Sequence, residues 1–153
     1  MVKSFVAFLV ELKLHRGHKT TDDMKGKAPF VWFALDKKVA DGYAYYHTDS
    51  TITTINYSPK KSVDVGKSER RLKITELLNE IMGKADKSKI DMGKMKPVFM
   101  GLRKKFGNTA HTLDHFWHDS KEFATFVELA GFDSIMVKEE GYKTIGVLRK
   151  YIK

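Results

Sequence analysis

Apolar residues in this chain come in short runs broken by polar stretches, and none approaches the ~18 residues of a membrane-crossing helix. Each run has the length of a strand or of one helix face, so the chain must bury its apolar surface between packed layers. Residues 4–14 are rich in Phe, Val and Leu and read as a buried strand, with a polar loop over residues 15–29. Residues 30–34 form a second apolar strand. Asp36 then stands where a helix N-cap belongs, ahead of Val39, Ala40, Tyr43 and Ala44 at helical spacing. The β-branched residues 51–57 predict a strand, and residues 62–65 a short extension of it.

Helices are expected over residues 68–82, from Pro97 at a first turn to Phe106, and from a cap at Asp119 or Ser120 to Ala130. The lysine-rich residues 83–96 read as an exposed connection. Residues 133–137 and 144–148 flank a turn at Gly141 and predict a hairpin. Strands and helices mix without βαβ alternation, so the fold class is α+β with mostly antiparallel pairing. At 153 residues, with no repeat or linker, a single domain over 1–153 is expected. A hydrophobic share of 42% argues against disorder.

Composition narrows the chemistry. The absence of cysteine excludes disulfides, thiolate metal sites and a cysteine nucleophile. The first apolar run is too short for an export signal, so a cytoplasmic location is expected and no membrane partner. No Gly-x-Ser-x-Gly elbow, Walker A loop or Gly-x-Gly-x-x-Gly run occurs. His111, His115 and His118 lack a glutamate and an evident further ligand, so no metal is expected. The net charge of +9 points to a polyanionic partner. Lysines concentrate at Lys60-Lys61, from Lys84 to Lys96 and at Arg103-Lys-Lys105, with Phe99, Phe106 and Trp117 interleaved.

Three segments gain meaning together: Leu14-His-Arg-Gly-His-Lys19, Trp32-Phe-Ala-Leu-Asp36 with Tyr43 eleven positions after Trp32, and Gly131-Phe-Asp-Ser-Ile-Met-Val-Lys-Glu-Glu-Gly141. In this order they resemble the ADP-ribosyltransferase superfamily, in its diphtheria-toxin-like and poly(ADP-ribose)-polymerase-like branch. Arg16 stands where much of the family has histidine, as in the arginine-specific branch. Ala34 lacks the hydroxyl usual after the second-motif aromatic.

The resemblance implies split antiparallel sheets with flanking helices and NAD held between them as co-substrate. It implies that Arg16, Gly17, Trp32, Phe33 and Tyr43 contact NAD and that Glu139 is catalytic, with Glu140 in reserve. An arginine fork suits ribose and phosphate oxygens, glycine permits close backbone approach, and aromatic faces suit a cationic nicotinamide. A carboxylate suits the oxocarbenium-like centre formed when the glycosidic bond breaks. The implied function is mono-ADP-ribosyl transfer to a macromolecule, as in a toxin of a toxin–antitoxin or phage–host conflict system. The charge directs the acceptor expectation to RNA or single-stranded DNA, with an acidic antitoxin as a further partner. The alternatives are a protein side chain as acceptor, or a catalytically silent basic nucleic-acid-binding module.

Overall fold

The structure is a computed structural model that describes residues 12–19, 28–45, 50–67, 73–109, 120–139 and 141–152. Its strands are β1 (Leu12–Lys19), β2 (Phe30–Ala34), β3 (Ser50–Tyr57), β4 (Ser62–Lys67), β5 (Ser134–Glu139) and β6 (Tyr142–Leu148). Its helices are α1 (Lys37–Tyr45), α2 (Ile74–Lys84), α3 (Met92–Phe106) and α4 (Lys121–Leu129). The class is α+β. The strands form one six-stranded sheet in the order β3-β1-β2-β6-β5-β4.

That order, with the β3–β4 connection, dictates a curl. β3 and β4 lie at opposite edges of the sheet, yet only residues 58–61 join them. Five residue steps reach about 18 Å fully extended. Five strand spacings in a flat sheet need about 24 Å. The end of β3 and the start of β4 must therefore approach each other. Accordingly, Ile55 and Tyr57 of β3 and Met136 of β5 pack against one cluster with Leu14, Val31, Phe33, Ile145 and Val147, as side chains do on the inside of a curl. The opposite face carries the larger core. There, Phe30, Val63, Val65, Ile135 and Val137 of the strands meet the apolar stripes of α2, α3 and α4.

Several local signals act as the sequence predicts. The amide of Lys38 donates to Asp36 Oδ1 at 2.9 Å as α1 begins, and that of Phe123 donates to Ser120 Oγ at 3.1 Å as α4 begins. Gly131 ends α4 and Gly141 turns the β5–β6 hairpin, with φ of 91° and 89°, values that tax any residue with a Cβ.

Four expectations are corrected. His15–Lys19 belongs to β1 rather than to a loop, because its backbone pairs residue for residue with Thr54–Ser50 of β3. The connection at 83–96 contains a 3₁₀ turn, Lys87–Lys89, and the first turns of α3. Asp91 caps α3 by accepting from the Lys94 amide at 3.2 Å, so Pro97 sits inside the helix and not at its start. Residues 62–67 form a full edge strand, parallel to β5, in a sheet otherwise antiparallel. The first part of the expected strand at 4–14, the start of the helix expected at 68–82, Glu140 and the histidines 111, 115 and 118 lie outside the described residues.

Candidate functional site

The sheet is nearly severed between β1 and β2. β1 pairs with β3 over eight positions, and β2 with β6 over five. Between β1 and β2, among the described residues, the ladder has a single pair, His15 and Ala34. Continuing that antiparallel register past the last pair sets Arg16 level with Phe33 and Gly17 level with Trp32. The first two motifs singled out in the sequence therefore line the two banks of one seam. Arg16 crosses it, its Nη1 donating to the Trp32 carbonyl at 3.1 Å. His15 Nδ1 lies 2.9 Å from Thr54 Oγ1, which ties the single cross-seam pair to β3.

Trp32 and Phe33 of β2 point to opposite faces, as strand alternation requires. Phe33, 1% exposed, lies in the inner cluster against Leu14 and Ile145. Trp32 is half-buried on the helix-covered face, its ring centroid 6.0 Å from that of Phe30. Its indole lies over Gly146, its partner on β6. A Cβ placed on Gly146 would come within 2.9 Å of the six-membered ring. Glycine at 146 is thus what lets the indole lie flat on the sheet.

Tyr43 lies in α1, a helix packed against β1, β3 and β2. Glu139 is the last residue of β5, paired with Tyr142. From the level of Trp32 it lies four residues, about 13 Å, toward the hairpin end and two strand spacings, about 10 Å, across. The side chains of Tyr43 and Glu139 are outside the described part of the structure. The seam therefore gathers Arg16, Gly17, Trp32 and Phe33, while Glu139 stands apart on the same sheet.

One polar cluster escaped the sequence reading. Asp133, 8% exposed, accepts from the Lys60 amide at 2.7 Å and the Ser134 hydroxyl at 2.8 Å, and the Tyr57 hydroxyl bonds to it. These bonds pin the short β3–β4 connection to the start of β5. Burial raises the Tyr57 phenol pKa above its ordinary value, and the Asp133 charge and hydrogen bond raise it further. The signal in the sequence is an acid set between Phe132 and a strand buried on both faces, a place where an acid needs partners.

A surface groove lies elsewhere, at the Phe30–Leu148 end of β2 and β6, lined by Pro29, Ala124, Thr125, Leu148 and several charged side chains. Two of its three cations are engaged within the fold: Arg149 Nε donates to the Ala28 carbonyl at 2.6 Å, and Lys150 pairs with Glu128. Among the described residues, no group of three His, Asp or Glu residues is placed to hold a metal, and no helix is long and apolar enough to cross a membrane. Compared with family models, with curated proteins and with solved structures, the chain matches none.

Proposed function

We propose that this chain is a mono-ADP-ribosyltransferase of split-sheet architecture that binds NAD along the seam between β1 and β2. The observation that carries the reading is the seam itself. Among the described residues β1 and β2 share the ladder pair His15–Ala34, and the residues of the first two motifs, Arg16, Gly17, Trp32 and Phe33, lie along the two strands beside it. In this reading Arg16 exchanges or shares its carbonyl partner for ribose or pyrophosphate oxygens, a role its planar fork suits. Gly17 lets the ligand approach the β1 backbone. Trp32 and Tyr43 supply ring contacts to the nicotinamide, and buried Phe33 supports the bank from below. Glu139 acts at the far end, toward the hairpin.

The reaction breaks the bond between the ribose anomeric carbon and the nicotinamide nitrogen. The bonding electrons leave with nicotinamide, which departs neutral. The Glu139 carboxylate offsets the positive charge growing on the ribose carbon and holds the neighbouring hydroxyl. A nucleophile on the acceptor then bonds to that carbon and loses its proton. A second reading, a basic nucleic-acid-binding module without turnover, is favoured by the cationic outer face of α3. Incubation of the purified chain with NAD separates the two: free nicotinamide accumulates under the first and stays at the buffer level under the second.

A further inference from the structure

The outward face of α3 carries charge that the fold does not use. Residues 87–105 hold seven lysines and arginines against a single acid, Asp91. Lys89 pairs with Asp86 at 3.8 Å and Lys105 with Glu122 at 3.6 Å. The other five, Lys87, Lys94, Lys96, Arg103 and Lys104, are exposed and form no ion pair among the described residues. Helical periodicity sets Lys96, Met100, Arg103 and Lys104 in one stripe about 12 Å long, opposite the buried Met95, Leu102 and Phe106.

Helix stability accounts for only part of this pattern. Arg103, Lys104 and Lys105 complement the negative end of the helix dipole. Lys94 and Lys96 lie toward the positive end, where no acid occupies the first turn, and the dipole opposes them. The face also lacks what a protein partner needs. Its exposed large apolar side chains are Met92 and Met100, and protein interfaces are depleted in lysine and anchored on aromatic residues. Phosphates ask only for point charges at intervals, which lysines on flexible stems provide.

We infer that the outer face of α3 binds the phosphate backbone of nucleic acid without reading its sequence. This inference stands apart from the NAD reading, since it concerns a different face and needs no turnover. With five contacts, four from α3 and one from Lys87 in the turn before it, log affinity for single-stranded RNA falls against log salt with a slope of about −3.5, at ~0.7 per phosphate. Contacts to phosphate carry no sequence information, so unrelated sequences bind alike.

The test is fluorescence anisotropy of a labelled single-stranded RNA of mixed sequence, titrated at several salt concentrations without NAD. Wild type gives the slope above, and the triple substitution Lys96→Ala, Arg103→Ala, Lys104→Ala brings it to about −1.5. Lys96→Ala alone lowers its magnitude by about 0.7, which keeps the test sound should the triple variant melt early. A slope near zero, or a triple variant that retains the wild-type slope, overturns the inference. So does stronger binding of polyglutamate or of vesicles containing anionic lipid, since either identifies a different class of partner.

Discussion

The Arg16 guanidinium donates to the Trp32 carbonyl at 3.1 Å, across the line where the six-stranded sheet is held by one residue pair. A charged donor thus joins the two strands beside their ladder pair. In the proposed function it is also the group that turns toward the oxygens of NAD. Arg16→Lys keeps the charge but loses the fork. NAD affinity measured by calorimetry is expected to fall at least ~10-fold, while stability falls by about 3 kcal/mol or less, the scale of a hydrogen bond from a charged donor. Unchanged affinity would remove Arg16 from the site.

Trp32 and Gly146 are a matched pair. Gly146→Ala drives a methyl to 2.9 Å from the indole and is expected to cost about 1–3 kcal/mol in chemical denaturation. In a Trp32→Leu background the same change should cost under about 1 kcal/mol, because the clash is gone. Equal costs in both backgrounds would show that the indole does not rest on Gly146. NAD quenching of tryptophan emission reports separately on whether the exposed part of this ring meets the nicotinamide.

The Tyr57–Asp133 contact makes stability depend on alkaline pH. The folded-state phenol pKa is raised above the unfolded value, so its contribution is fully present below about pH 10 and lost as pH rises beyond it. Tyr57→Phe should be less stable than wild type near neutrality, having lost the hydrogen bond, and should lose less stability than wild type between pH 9 and pH 11. Parallel pH profiles for the two proteins would contradict this. Asp133→Ala strands the Lys60 amide and the Tyr57 hydroxyl together, and is expected to cost about 2–3 kcal/mol in the same assay.

What could be read from the residues was what neighbours in sequence decide. β2, α4 and the β5–β6 hairpin follow from local alternation, the Ser120 cap and the glycines at 131 and 141. Distant partners decided the rest. His15–Lys19 looks like loop because its side chains are polar, and it is strand because β3, some forty residues on, supplies its hydrogen bonds. β4 is fixed by a parallel partner more than seventy residues away. The start of α3 was hidden by lysines and by Pro97. The proline is tolerated on the exposed side, where the Gly93 carbonyl it leaves without an amide is open to water. For the candidate site, Arg16, Gly17, Trp32 and Phe33 were legible as motifs. That they share a seam was not, since it depends on where pairing stops.

The central claim is that this chain turns over NAD with Glu139 as the catalytic carboxylate. The most direct measurement is nicotinamide released from NAD by the purified wild type, by Glu139→Gln and by Glu140→Gln. The account predicts release by wild type, a loss of at least ~100-fold in Glu139→Gln with NAD binding and melting temperature retained, and near-normal release by Glu140→Gln. No release by folded wild type, or equal release by wild type and Glu139→Gln, would contradict it.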